Sequence, residues 1–349
     1  MTELQSDVLE TVTEENENQW NHVVEQSDLG TLFHRYEWLR ACEESLDCEP
    51  HHVVVRKGDD PVGVFPNFRR PISVDDYSKW TERLPVKRLI STKPGAGGPA
   101  ILTDEVACLE RMFDAFEATT KSRDVFHTVR TIEQGYARYS TNFDVEGYEQ
   151  RLTSCRFLLD LRPDWETIRD DMHKSRRQGL ERAKDAGVEV HVPDLTGERM
   201  KETYRAYTSH MDRIGVDPFP PALFRKLYEI MDDRIVVFVA TCEGDEVGRF
   251  LNLLDRERST VNYYFAAIPS EEARDVHTAE ALHGAAIQWA KDQDYDYYDF
   301  GETKADLDDG LFRFKSRFGG ELVPSLTWEK GSSTVGWSAF KLARQLYKQ

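Results

Sequence analysis

The chain has 349 residues, 40% hydrophobic and 11% aromatic, with a formal net charge of −18. That length and composition predict two domains with real cores, while the acidic balance argues against broad binding to DNA or to an anionic membrane except through a local basic patch. Carboxylates spread over every segment also predict solubility in a high-salt cytoplasm, so a halophilic host is one expectation. Five cysteines, Cys42, Cys48, Cys108, Cys155 and Cys242, are scattered, with no CxxC and no Cys/His cluster at zinc spacing. They predict packed, reduced thiols in a cytoplasmic protein and no metal site. The N-terminus lacks a basic region followed by an apolar one, and no apolar run approaches membrane length, so neither a signal peptide nor a membrane span is expected.

Residues 1–18 are polar and acidic and are expected to be flexible. Helices are predicted from Trp20 to Gln26 and from Phe33, whose apolar positions Phe33, Tyr36, Leu39 and Cys42 follow helical spacing. His52–Arg56 and Pro61–Phe68 form a hairpin around the Lys57-Gly58-Asp59-Asp60 turn. Lys93–Pro99 is the glycine-richest stretch; without the GK[ST] of a P-loop it reads as a permissive turn lining a cleft. Asp104–Ser122 is an amphipathic helix capped by Thr103 or Asp104, Val125–Thr131 a strand, and 133–152 a connection.

A second unit opens with the strand Cys155–Leu161, leading into one helix from Asp164 through a basic run (Lys174, Arg176, Arg177, Arg182, Lys184) to a stop at Gly187. In an acidic protein that run reads either as a solvated face or as a phosphate-facing patch. A strand at 188–192, helices at 197–213 and 222–231, and strands at 235–242, 247–254 and 260–267 follow. One helix spans Glu271–Asp292, and strands at 295–301 and 322–328 precede a basic amphipathic tail. The predicted division is 1–18 flexible, 19–152 first domain, 153–330 second domain, 331–349 tail.

The segment Tyr295–Glu321 carries the chemistry. An aromatic strand closes at Gly301, an acidic loop follows, and Gly310-Leu311-Phe312-Arg313-Phe314-Lys315 leads to Phe318-Gly319-Gly320. As a helix, Leu311, Phe312, Lys315 and Phe318 share one face; as a strand, Arg313, Lys315 and Arg317 oppose the phenylalanines. Either way cations stand beside an aromatic wall, which suits anion binding or oxyanion stabilisation as well as simple snorkelling.

The two halves echo each other, most closely at the hairpins 53–64 and 237–249, which share an apolar strand, a Gly-Asp turn and a Val-Gly return. The Phe33–Leu39 helix, the 52–68 hairpin, the Lys174–Gly187 basic run and above all Tyr298-Asp299-Phe300-Gly301 with the 310–321 segment resemble the FemAB-like branch of the GNAT superfamily. The resemblance implies an α/β protein with mixed sheets in two tandem GNAT-like domains. It implies an acyltransferase that moves an activated acyl or aminoacyl group, from acyl-CoA or aminoacyl-tRNA, onto an amine of a small-molecule, glycan-precursor or peptide acceptor. In the cross-bridge enzymes of the family a lysine of a Phe-Lys motif supports the tetrahedral intermediate or binds phosphate; here that position is Lys315. The family's glycine-rich pyrophosphate loop is replaced by Ile268-Pro269-Ser270-Glu271-Glu272-Ala273-Arg274-Asp275, whose acids would repel a pyrophosphate at a helix start.

Acyl transfer to an amine needs a held acceptor, proton removal and a donor for the oxyanion. Lys315 is expected to be the donor, with Arg313 or Arg317 as anion clamps. Asp299 and Glu302 are the proton acceptors on offer, and Lys174 and Arg177 the phosphate-facing cations. Tyr263, Tyr264 and Tyr298 either line the acceptor channel or fill the core, and His277 and His283 read as exposed or core residues. A silent binding module for a nucleotide-sugar or glycan precursor, and a tRNA-binding factor, remain as rival readings.

Overall fold

The structure, a computed structural model, describes residues 3–13, 15–72 and 86–347. Residues 1, 2, 14, 348 and 349, parts of the stretches expected to be flexible or tail, lie outside the described residues. In chain order the elements begin with β1 (Leu4–Leu9), α1 (Glu17–Gln26), α2 (Tyr36–Glu43), β2 (Glu49–Pro50), β3 (His52–Lys57), β4 (Asp60–Phe65), β5 (Phe68–Pro71) and β6 (Lys87–Ile90). Next come β7 (Ala100–Ile101), α3 (Glu105–Thr119), β8 (Asp124–Arg130), α4 (Ser140–Val145), β9 (Glu149–Asp160), α5 (Trp165–Asp171), α6 (Lys174–Asp185) and β10 (Val188–His191). The rest are α7 (Gly197–Ile214), α8 (Pro221–Met231), β11 (Ile235–Cys242), β12 (Asp245–Asp255), β13 (Thr260–Ala267), α9 (Glu271–Asp275), α10 (Thr278–Asp292), β14 (Tyr297–Asp299), β15 (Thr303–Lys304), α11 (Gly310–Lys315), β16 (Glu321–Gly331) and α12 (Thr334–Tyr347).

Two compact units form: Met1–Thr153 with Pro324–Gln349, and Ser154–Val323. In the first, strands run in the order β1-β3-β4-β7, and a second set runs β16-β8-β6-β5-β2 with β6 and β8 parallel. The expected flexible N-terminus is instead a strand. Leu4 and Val8 alternate onto the core while Gln5 and Asp7 face water, and the ladder to β3 satisfies the backbone. The segment expected as a plain connection, 133–152, holds a 3-10 turn, α4 and the start of β9, with Tyr136, Tyr139, Phe143 and Tyr148 all buried. Asp104 stands at the start of α3 but does not cap it. It adopts φ +52, and its carboxylate takes Lys57 at 2.8 Å. The glycine-rich 93–99 stretch is packed rather than open: Gly95 lies against Phe33 and Trp38, and Gly98 against Tyr136.

The last strand and the tail belong to this first unit, a different division from one at residue 330. β16 pairs with β8 from Thr327–Arg130 to Gly331–Phe126, and Trp328 stacks on Phe143. On α12, Trp337 and Phe340 cover Phe126, while Arg344 and Lys341 bond Glu329 and Glu149.

The second unit is a mixed sheet in the order β10-β11-β12-β13-β14-β9, antiparallel except for β13–β14. Both units thus carry the matched hairpins, β3–β4 and β11–β12, with a register shift near each turn and a left-handed glycine in it, Gly58 and Gly244. Two helices expected as continuous are broken. The first breaks between α5 and α6, where the His173 N–H leaves the helix to bond the Arg317 carbonyl and the His173 ring caps Ser175 N–H instead. The second breaks at Val276–His277, where His277 takes φ +59. At the first break propensity loses to a partner far along the chain, at the second to a local turn. Among the described residues no helix is long and apolar enough to cross a membrane.

Candidate active site

The site grows from the one parallel pair of the second unit. β13 and β14 are registered at Thr260–Tyr297, Val261–Tyr298 and Asn262–Asp299, and there the pairing stops, although β13 runs on to Ala267. The chain after β14 turns away at Gly301, in the left-handed region at φ +70, and re-pairs as β15 with Cys155 and Ser154 of β9. The ends of parallel strands are where α/β proteins open their clefts.

The 310–318 segment is helical, not extended. Asp309 caps α11 by accepting from Phe312 N–H at 2.8 Å, a 3-10 turn follows, and Gly319 at φ +89 ends it. Its buried face differs from the one expected, because Leu311 is exposed, Phe312, Lys315 and Phe318 are buried, and Phe314 is half-buried against the same core. Lys315 is 2% exposed. Its Nζ donates to the Gly301 carbonyl at 3.0 Å and to the Glu302 carbonyl at 2.9 Å, and lies 5.5 Å from the Tyr263 ring centre. An ammonium has three N–H donors; two go to these carbonyls, and the third has no hydrogen-bond acceptor among the described residues. Burial pushes its pKa down to about 8, against the opposing pull of Asp299 and Glu302.

Asp299 is 3% exposed, and both of its oxygens are engaged: Arg156 Nη1 donates to Oδ2 at 2.5 Å and Gly301 N–H to Oδ1 at 2.8 Å. It is therefore a buried anchor of the turn, and the expectation of Asp299 as proton acceptor does not match this placement. Glu302 reaches Lys315 only through its carbonyl. Its carboxylate is exposed, accepts from Ser154 Oγ at 2.9 Å, and is the carboxylate of the two that faces water.

Behind Lys315 lies an aromatic cage around His283, with the rings of Phe250 and Tyr263 each 4.8 Å away and Phe300 at 5.1 Å. His283 Nδ1 is 3.0 Å from the Tyr298 hydroxyl. Burial drives the His283 pKa well down, Lys315 and Arg176 add to that, and the ring is neutral. Tyr298 is fully buried, so it belongs to the core rather than to an acceptor channel. Tyr264 is half-buried, edge-on to Phe265 at 4.9 Å.

The remaining cations divide. Arg313, Arg317 and Lys174 are exposed, and the His173–Arg317 backbone bond ties the start of α6 to the end of the α11 segment. Arg177 is instead a clamp on the end of α5, donating to the Asp170 and Met172 carbonyls at 2.7 and 2.6 Å. Arg176, expected within the basic run as either a solvated or a phosphate-facing residue, lies 4.5 Å over Phe314 and pairs with Glu280. Arg156 was missed altogether. A lone arginine in an otherwise apolar strand, Cys155-Arg156-Phe157-Leu158-Leu159, was the available signal.

Residues 169–316 match the Acetyltransferase (GNAT) domain family. Over 239 residues, 63% of this chain and 69% of the relative, the chain is 26% identical to the UDP-N-acetylmuramoylpentapeptide-lysine N(6)-alanyltransferase of Weissella viridescens. Among solved structures it resembles FemX with a TM-score of 0.70 at 12% identity, covering 94% of this chain and 98% of that one. It also resembles L-PGS from Bacillus licheniformis (TM-score 0.61, 14% identity, 97% and 98%) and a tandem GNAT protein from the clavulanic acid pathway (0.56, 12%, 95% and 99%). The solved structures carry the tandem fold, and the domain match and the alanyltransferase relative carry the chemistry. Residues 169–316 thus carry a GNAT acetyltransferase domain, and the chain, an acyltransferase, is similar to the FemAB-like branch of the GNAT superfamily.

Proposed function

We propose that the protein transfers an aminoacyl group from aminoacyl-tRNA to an amine of a peptide or glycan-precursor acceptor, with Lys315 as the oxyanion donor. The observation that carries this reading is the buried Lys315 ammonium, held by two carbonyls at the open end of the β13–β14 pair with one N–H uncommitted. In the step, the acceptor nitrogen forms a bond to the ester carbonyl carbon and loses a proton. The oxyanion accepts from Lys315 Nζ, and collapse breaks the ester C–O bond, releasing the tRNA hydroxyl. Glu302 is the water-facing carboxylate suited to take the amine proton, and Arg313, Arg317 and Lys174 are the exposed cations suited to phosphate.

The donor reading rests on α9. Ser270 Oγ already accepts from Ala273 N–H at 3.2 Å, and the Glu272 carboxyl is held below its usual range by its own N–H and by Ser270. The amides that would meet a coenzyme A pyrophosphate are thus taken by the protein's own groups. The name of the Weissella relative supports a peptide-lysine acceptor on a nucleotide-linked glycan precursor. With such substrates the protein would work in the cytoplasm.

The test compares wild type and Lys315→Ala for transfer from alanyl-tRNA and from acetyl-CoA to a lysine-containing precursor peptide, at low and high salt. Transfer from alanyl-tRNA that is lost in the variant supports the reading. Transfer from acetyl-CoA alone would overturn the donor, and full activity in Lys315→Ala would overturn the role of Lys315.

A further inference from the structure

We infer that Arg156 is a positioning residue for the transfer: by holding the Asp299 carboxylate it fixes the Gly301 turn whose carbonyls aim Lys315. The inference rests on the reading of Lys315 as the group that meets the substrate.

Four contacts run in series from β9 to Nζ. Arg156 Nη1 donates to Asp299 Oδ2 at 2.5 Å; Gly301 N–H donates to Asp299 Oδ1 at 2.8 Å; Lys315 Nζ donates to the carbonyls of Gly301 and Glu302 at 3.0 and 2.9 Å. Asp299 thus bonds the N–H of the very residue whose carbonyl receives Lys315. The turn has little freedom of its own. Gly301 is at φ +70, and a Cβ there would come within 2.9 Å of the Tyr263 carbonyl oxygen.

Charge makes the arrangement informative. Arg156, Asp299 and Lys315 are 3%, 3% and 2% exposed, a buried plus–minus–plus series. A buried ammonium beside a buried carboxylate ordinarily bonds it directly, because the attraction is strong where water is absent. Here Lys315 donates to neutral carbonyls, since Arg156 has already claimed the carboxylate. The consequence is a lysine that keeps one N–H for a substrate oxygen instead of losing it to an internal salt bridge. Without Arg156, Lys315 is the cation left beside Asp299, and a direct pair would draw Nζ off the carbonyls and hold its proton more tightly. Without the Asp299 charge, the proton would be held less tightly.

Those opposite signs are the test, because a residue that merely fills space would not produce them. Protein carrying 13Cε-lysine is titrated by NMR, with the Lys315 signal identified by its loss in Lys315→Arg. The Lys315 midpoint is expected to fall by about one pH unit in Asp299→Asn and to rise by about as much in Arg156→Met. Arg156→Lys, which keeps the charge, is expected to titrate as wild type. In transfer assays Arg156→Met lowers kcat by about 100-fold with KM unchanged. Unchanged midpoints, or shifts of the same sign in Asp299→Asn and Arg156→Met, overturn the inference. Should Arg156→Met not fold, a wild-type midpoint in Asp299→Asn or a shifted one in Arg156→Lys overturns it equally. The titration reads the free protein, so loss of the catalytic role of Lys315 would leave the midpoint shifts standing and the two failures can be told apart.

Discussion

The Arg176 guanidinium lies 4.5 Å over the Phe314 ring while its Nη1 donates to Glu280 at 2.8 Å, linking α6, α10 and the Lys315 helix in one contact. Gly179, one turn along α6, makes room for it. A Cβ at that position would meet Glu280 Cγ at 2.8 Å and Oε1 at 3.0 Å. Gly→Ala inside a helix normally stabilises by about 1 kcal/mol. With Glu280 held by Arg176, Gly179→Ala is expected instead to destabilise by about 1–2 kcal/mol in urea unfolding. A gain in stability would mean that the ion pair yields freely.

The first unit should be acid-sensitive. His127 is buried between the Tyr148 hydroxyl at 2.7 Å and Asn67 Oδ1 at 2.8 Å, and His52 Nδ1 accepts from Asn67 N–H at 3.1 Å. Burial pushes the His52 and His127 pKa values down to about 3 and that of His51 to about 4. Unfolded histidine titrates near 6.5, so the unfolded chain takes up protons first. Stability is therefore full above pH 6.5 and falls as pH drops from there toward 4 and 3. The loss expected by pH 5 is about 2 kcal/mol per histidine. Melting scans at pH 7 and pH 5 measure it, and His127→Gln should flatten the slope; an equal Tm at both pH values contradicts the account.

Lys315 carries a pH signature of the same sign in a higher window. Its folded pKa of about 8 lies below the 10.5 of an ordinary lysine. Between those values the unfolded state holds the extra proton, so stability rises with pH by up to about 3 kcal/mol. Over the same window transfer should decline, because the neutral amine is the weaker oxyanion donor. Paired pH profiles of kcat and Tm that rise together above pH 8 would refute this assignment.

Gly301→Ala tests the turn itself. Its positive φ and the 2.9 Å approach to the Tyr263 carbonyl predict a loss of about 1–3 kcal/mol. Because Lys315 Nζ lies only 3.8 Å from the same Cβ position, kcat should fall more than stability alone explains. A variant of wild-type stability and activity would show that the turn is not strained.

How much of this was legible in the sequence follows from the range of each interaction. The hairpins at 52–68 and 235–254 were readable because their signals, a Gly-Asp turn between apolar strands, lie within a dozen residues. Lys315 is readable as an ammonium on an apolar face, but the choice between helix and strand depends on the Asp309 cap. The partner of Asp299 was not readable, since Arg156 is 143 positions away. Nor was the interruption at His173, whose backbone partner is Arg317. Asp299 was assigned a chemical role because a carboxylate at a strand end suits one, but such a residue suits a buried ion pair equally, and only the fold distinguishes them.

The return of β16 to the first unit has a consequence during synthesis. Trp328, which stacks on Phe143, and Glu329, which binds Arg151 and Arg344, are translated only after the 170 residues from Ser154 to Val323. At about 5–20 residues per second, the N-terminal segment waits on the order of ten to thirty seconds for its closing strand. The second unit, contiguous in the chain, emerges whole before the first can close, so the usual order of maturation on the ribosome is inverted. A nascent chain halted near residue 320 would carry an unfinished N-terminal unit, with the surfaces of Phe126 and Phe143 open to chaperones.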